Sequence, residues 1–231
     1  MNEEAKAVGE IAKTTGKAID AAKATGGFIA KYIGGALEQG MGIFEDKLKY
    51  LRWERQHRLI LRADEFLKRS GLQVPSRAVP LKLALPILQG ATLEEDDDLQ
   101  DRWAALLVNA ANASFPGEIR RAYASMLEQL TSLDVRILDV IYSLPFFDGM
   151  EHGVTTDALP DSAELMTASY AQIASRPQEE IEVSLANLAR LGCIRPSLTY
   201  GGGEIFSRVV PTFAGREFVN ACRIPAPPQT A

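Results

Sequence analysis

One stretch narrows the choice of fold more than any other. It is Gly26–Phe44, GGFIAKYIGGALEQGMGIF, the most apolar and most glycine-rich run in the chain, with only Lys31 and Glu38 charged. On a helical wheel at about 100° per residue, Phe28, Ile29, Tyr32, Ile33, Leu37, Met41, Ile43 and Phe44 fill a wide arc. Gly27, Lys31, Gly34, Gly35, Glu38 and Gly42 share the narrow remainder. A glycine inside a helix costs about 1 kcal/mol relative to alanine, so a stripe of them implies close approach of another backbone. The expected helix-contact or oligomer residues are therefore Gly27, Gly34, Gly35 and Gly42. Phe28, Ile29, Ile33, Leu37 and Met41 form the expected membrane or core face.

As a helix this run reaches about 28 Å, close to the roughly 30 Å hydrocarbon thickness of a bilayer. Gly26, Ala30 and Gly34 put small residues four apart, as in packed membrane helices. Glu38, however, lies well inside the span, where a charge costs about 3 kcal/mol or more. An isolated helix surrounded by lipid is thus the least favoured reading. Contact with another helix, in a bundle, an oligomer or a membrane, is the expectation.

The chain of 231 residues is long enough for one or two domains. Its 46% hydrophobic and 24% charged residues are those of a folded, soluble protein. The net charge of −5 is unevenly spread, and only residues 1–71 carry an excess of basic side chains. Electrostatic attraction to nucleic acid or anionic lipid could come only from there. The two cysteines, Cys193 and Cys222, have no CxxC spacing, so neither a disulfide framework nor a zinc site is expected. The start, MNEEAKAVGE, lacks the basic-then-apolar order of a secretory signal, which makes a cytoplasmic location the expectation.

Residues 3–25 are rich in alanine and lysine, with Ile11 and Ile19 the only large apolar side chains. That is too little apolar surface to fold alone. From Glu45 to Arg69 the pattern predicts a long helix with two apolar strips: Leu48, Leu51, Leu59 and Phe66 on one, Trp53, Ile60 and Leu67 on the other. Lys47, Lys49, Arg52, Arg55, Arg58 and Arg62 form a basic patch along it. The patch reads either as a juxtamembrane or nucleic-acid surface, or as a solvated face that pairs with acids elsewhere in the fold.

Pro75 and Pro80 mark an extended connector. Leu81–Leu88 predicts a short buried helix, interrupted at Pro86 and closed by Gly90. Thr92 and Glu95 have capping-box spacing, which places the acids Glu94–Asp98 in the first turns of the next helix, where its dipole favours them. Consecutive carboxylates at a helix start do not make a calcium loop. A further helix is predicted over Glu118–Leu130.

From Ser132 the pattern changes. Helices are predicted over Leu133–Leu144, Ser169–Ser175 and Gln178–Leu191, separated by an irregular stretch after Pro145. A strand from Gly192 to Tyr200, a turn at Gly201–Gly203 and a return strand at Ile205–Val210 make a hairpin. A closing helix spans Thr212–Ala221. Three helices, a hairpin and a helix give the order of a winged helix-turn-helix. Recognition helices offer basic or amide groups to DNA, yet here the first turn carries Glu179, Glu180 and Glu182 beside Gln178. Protein contact is the better reading, and nucleic acid is not an expected partner.

No arrangement of residues suggests catalysis. His57 and His152 stand in unrelated contexts, and neither GxSxG nor GxxxxGK[ST] occurs. No catalytic, cofactor-binding or metal-ligating residues are assigned, and the chain is read as non-enzymatic.

The block LALPILQGATLEEDD, followed by LQDRWAALLVNA and YASMLEQLTSLDVRILDVIY, resembles the abortive-infection alpha family of bacterial proteins. The upstream ALEQGMGIFEDKLKYLRWERQHRL is similar to that family's lead into its core. The resemblance implies a role in bacterial defence against phage and carries over no catalytic residues.

The resulting expectation is a mainly α chain, with a helical N-terminal and central bundle followed by a C-terminal winged-helix-like α+β domain. Residues 1–43 form the Ala/Gly-rich segment, membrane-active or oligomerising; 44–131 form a helical core and 132–231 the winged-helix-like domain. The expected partners are a second copy of the chain, an anionic membrane through peripheral or inducible association with the inner membrane, or a protein at the winged helix. Two rivals to a membrane or oligomer effector are a soluble adaptor and, further back, a DNA-binding regulator that uses the basic helix.

Overall fold

The computed structural model describes residues 26–33, 53–166 and 175–224, and they fall into two units. The first holds the described residues up to Pro116 together with Ile224, and the second is Gly117–Arg223. The chain is mainly α, with an α+β part toward its C-terminal end, as the sequence predicts.

In the first unit, residues 26–33 are helical (α1). They are followed by α2 (Trp53–Arg69), α3 (Leu81–Leu93) and α4 (Asp97–Ala110). Helices α2, α3 and α4 pack against one another pairwise. Leu59, Ala63, Phe66 and Leu67 are buried on α2, and their spacing of four, three and one places them on a single stripe. The two strips expected for this helix thus merge within its described part, leaving Ile60 half-buried and Leu61 exposed.

Helix α3 differs from the expectation in both its length and its end. It runs through Pro86 and past Gly90 to Leu93. Proline forfeits one backbone bond and crowds the preceding turn, but Leu83, Ala84, Ile87, Leu88 and Ala91 are buried on both sides of it. Their packing outweighs the local penalty. Gly90 is no stop signal; it lies in mid-helix beneath the ring of Trp103.

The expected Thr92–Glu95 capping box is also replaced. Thr92 is still inside α3, so its hydroxyl donates back to the Leu88 carbonyl at 2.8 Å, the usual use of a threonine hydroxyl within a helix. Asp96, with extended backbone, is the cap of α4, and its carboxylate accepts from Leu99 N at 2.9 Å. Asp97 and Asp98 then occupy the first turn, where the helix dipole favours acids. At the other end of α4, Arg77 Nε donates to the Ala110 carbonyl at 2.7 Å. A cation there satisfies orphan carbonyls and opposes the negative end of the dipole.

The second unit opens with α5 (Ala122–Leu127), shorter than the predicted Glu118–Leu130. Beyond Leu127 the chain tightens into i→i+3 bonds, with Gln129 N donating to Met126 O at 3.0 Å and Leu130 N to Leu127 O at 3.2 Å. Helix α6 (Ser132–Ile141) starts at a complete capping box. Asp134 N donates to Thr131 Oγ1 at 3.2 Å, and Thr131 N to Asp134 Oδ2 at 2.8 Å. The stretch expected to be irregular contains α7 (Phe146–His152) and the short strand β1 (Val154–Thr155).

Helix α8 (Glu179–Arg190) leads into the hairpin β2 (Ile194–Leu198) and β3 (Glu204–Pro211), then into α9 (Phe213–Ala221). The sheet is antiparallel throughout, in the order β1-β3-β2. Val154 faces Val209 and Ile194 faces Pro211, with an irregularity between Pro196 and Ser197. Val135, Leu138, Ile141, Leu185, Leu188, Val209 and Phe218 are buried within this unit. The helix expected at Ser169–Ser175 lies outside the described residues, apart from Ser175.

Candidate helix-docking site

The apolar arc of the glycine-rich run is buried as far as it is described. Phe28, Ile29, Tyr32 and Ile33 repeat at the spacing of one helical face, and all four are buried. The rings of Phe28 and Tyr32 lie 4.8 Å apart and tilted at 48°. Phe28 and Ile29 border a small cleft with Gln56, Leu59 and Ile60 of α2 and Leu88 and Thr92 of α3. It is narrow, with a cavity volume of only about 10 Å³, and is partly open to solvent.

Two polar ties accompany the apolar contact. Val79 N donates to the Tyr32 carbonyl at 2.8 Å, fastening α1 to the connector ahead of α3. Lys31 Nζ donates to Asp64 Oδ1 of α2 at 2.6 Å, with both side chains partly exposed. The Tyr32 hydroxyl is fully buried and has no hydrogen-bond partner among the described residues. Burial raises its pKa far above the ordinary tyrosine range, and the nearby Asp64 charge adds to the rise.

Gly27 is on the other side. It is exposed, and a Cβ built on it would meet nothing within 4 Å. Of the expected core or membrane face, Phe28, Ile29 and Ile33 are therefore placed in the first unit's interior. Leu37 and Met41 lie outside the described residues, as do Gly34, Gly35 and Gly42 of the expected contact stripe.

Lys47, Lys49 and Arg52 of the basic patch also lie outside the described residues. The other three form an ionic clasp between α2 and α4. Arg55 Nη1 donates to Asp97 at 2.6 Å, and its Nη2 to the Glu95 carbonyl. Arg58 Nη1 donates to Asp101 at 2.9 Å and to Gln100 Oε1 at 3.0 Å. Arg62 forks onto Asp101, with Nε at 2.7 Å from Oδ1 and Nη2 on Oδ2, while its Nη1 donates to Glu65 at 2.5 Å. The hydrogen bond to Asp101 raises the Arg62 pKa further. Its guanidinium also lies over the Phe66 ring, 4.7 Å from the centroid.

Gln100, fully buried, completes the clasp. Its Nε2 donates to the Ala91 carbonyl at 2.8 Å and to the Arg55 carbonyl at 3.1 Å. Part of the acidic run and half of the basic patch are thus two sides of one interhelical contact. Sequence reasoning missed Asp64, Gln100 and Asp101. Their partners on other helices, Lys31 for Asp64 and Arg55, Arg58 and Arg62 for Gln100 and Asp101, stand 33 to 45 residues away, so no local spacing signals the pairing.

In the second unit, Glu179 and Glu180 are exposed at the start of α8. Glu182 instead receives Arg176 in a two-pronged contact, both bonds at 2.6 Å. That contact holds its carboxyl below the usual carboxylate range. Phe146, Phe147 and Phe213 surround the Arg216 guanidinium, whose carbon lies 4.4, 6.0 and 4.9 Å from their ring centroids. Sequence reasoning missed this cluster, since Phe146 and Phe147 fall in the stretch expected to be irregular and Phe213 stands far along the chain.

Both histidines are exposed, His57 on α2 and His152 at the end of α7, and both cysteines are buried. Burial pushes the Cys193 thiol up to about 12. Among the described residues no group of three His, Cys, Asp or Glu side chains is placed to hold a metal ion, and no helix is long and apolar enough to cross a membrane.

Comparison with curated proteins finds no match, and comparison with solved structures finds none. A family model described as "Abortive infection alpha" matches residues 54–222, which run from the first turn of α2 to the end of α9 and so take in the ionic clasp and the whole sheet. The chain belongs to the abortive infection alpha family.

Proposed function

We propose that this chain serves abortive infection as a non-enzymatic protein that works by self-association along its glycine-rich segment. The observation that carries the reading is the opposite fate of the two sides of α1. Phe28, Ile29, Tyr32 and Ile33 are buried in their own unit, while Gly27 is exposed with open space beyond it. The four described residues of the apolar face are covered by their own unit and are not presented to a bilayer. The glycine edge remains, and it lets a second backbone approach closely.

A phage challenge of bacteria expressing the chain tests this. Wild type is expected to lower plaque formation, and Gly27→Leu to abolish that protection while leaving the melting temperature of the purified protein within a few degrees. Full protection by Gly27→Leu would contradict the reading. The substitution is informative because a Cβ at position 27 meets nothing within 4 Å among the described residues.

A second reading concerns the C-terminal unit. The order β1-β3-β2, with α8 leading into the hairpin, supports a winged-helix arrangement. Exposed Glu179 and Glu180 on α8, with Val183 exposed one turn on, favour a protein partner over DNA. A pull-down in which Glu179→Lys plus Glu180→Lys loses a partner, without gaining DNA binding in a gel shift, would support it. Salt-sensitive DNA binding by wild type would count against it.

A further inference from the structure

The seat of α1 combines close apolar contact with a fault. Tyr32 is fully buried, yet its hydroxyl has no partner among the described residues. Leaving such a group dry and unpaired lowers the stability of the docked state, because an undocked tyrosine bonds to water. Phe28 and Ile29, on the same face of α1, border a narrow cleft that is partly open to solvent. The described polar ties are slight: one backbone bond from Val79 and the partly exposed Lys31–Asp64 pair. Exposed pairs of that kind contribute little. The contrast with α4 is sharp, since its buried Gln100 has both ends of its amide bonded and its last carbonyls are met by Arg77.

We infer that α1 is a releasable strap, held on the first unit by an apolar face whose buried Tyr32 hydroxyl has no partner among the described residues, and that it lifts while α2, α3 and α4 stay folded. The inference rests on the reading that copies of this chain meet along the glycine edge, because lifting α1 removes the platform for that contact. Release of the strap is then the step at which association is turned off.

Hydrogen exchange of the full chain, at a concentration where it is monomeric, tests the strap apart from association. Amides of residues 30–33 are expected to exchange faster than those of 59–67 and 103–108. Tyr32→Phe removes the unpaired hydroxyl and keeps the ring, so it is expected to slow the exchange of 30–33 about tenfold. Lys31→Ala is expected to speed it by up to about fivefold, with the amides of α4 unchanged in both variants.

Exchange of 30–33 in step with α2 and α4 would overturn the inference. So would a Tyr32→Phe variant whose 30–33 amides exchange as fast as wild type or faster. Should Tyr32→Phe fail to fold, the inference is overturned as well, since the hydroxyl would then be needed rather than tolerated. Light scattering at high concentration reports the other half. Selective exchange of 30–33 in a chain that never associates would leave the strap standing and remove the association reading.

Discussion

The Trp103 indole occupies the space that any side chain on Gly90 would need: a Cβ built there would lie 2.5 Å from Trp103 Cζ2 and 2.9 Å from Cζ3. Both residues are on helices of the first unit, and Trp103 is almost completely buried. The ring is rigid and enclosed, so it cannot swing aside. Gly90→Ala gains helix propensity worth about 1 kcal/mol but forces overpacking that costs about 1–3 kcal/mol. The expected outcome is net destabilisation of the first unit, read as a lower denaturant midpoint, with blue-shifted Trp103 fluorescence lost at lower denaturant. An unchanged or higher midpoint would show that the helices separate freely at this point.

Gln100 joins α2, α3 and α4 through one amide. Gln100→Leu keeps most of the volume but leaves the Ala91 carbonyl, buried in the wild type, without this donor. A buried acceptor left unmade costs about 1–3 kcal/mol, and the destabilisation is expected in that range by chemical denaturation. Asp101→Asn, whose partners Arg58 and Arg62 are only partly buried, is expected to cost less and to lose most of its effect in high salt.

Stability is expected to fall in alkali, and two buried groups of the second unit contribute to the fall. Burial pushes Tyr142 up to about 12 from 10.0 and Cys193 up to about 12 from 9.0. The folded chain therefore keeps protons that the unfolded chain gives up, so unfolding gains as pH rises. The contribution of both groups is complete below pH 9 and is lost progressively as pH climbs through about 12. Urea midpoints measured from pH 8 to pH 11 are expected to decline, and Tyr142→Phe to decline less steeply. That variant starts lower, since the Tyr142 hydroxyl donates to the Cys193 carbonyl and accepts from Thr212 N at 3.0 Å. A flat profile for wild type would contradict the burial of these groups.

Local chemistry made much of the second unit legible. The glycine at 192 and the triple-glycine turn act within a few residues, and α8, the hairpin and α9 fall close to their predicted spans. The misreadings share the opposite character. Pro86 and Gly90 look like breakers until the packing of α3's buried face overrides the first and the Trp103 ring, from another helix, claims the space above the second. Strand β1 is only two residues long and exists because Val209 pairs with Val154 from far along the chain. For Arg55, Arg58 and Arg62 the sequence offers pairing with acids elsewhere in the fold, and Asp97 and Asp101 of α4 supply it, but nothing local names those partners. In α1 the wheel separated the apolar arc from the glycine edge, but a wheel carries no information about which side faces its own fold.

That last point is where the account stands or falls, and multi-angle light scattering on a size-exclusion column addresses it. Wild type, loaded over a hundredfold range of concentration, is expected to rise from the mass of one 25.2 kDa chain toward a defined multiple. Gly27→Leu is expected to stay at one chain's mass with an unchanged circular dichroism spectrum. A wild-type chain that remains monomeric throughout, or a Gly27→Leu variant that associates as wild type does, would contradict self-association along the glycine edge.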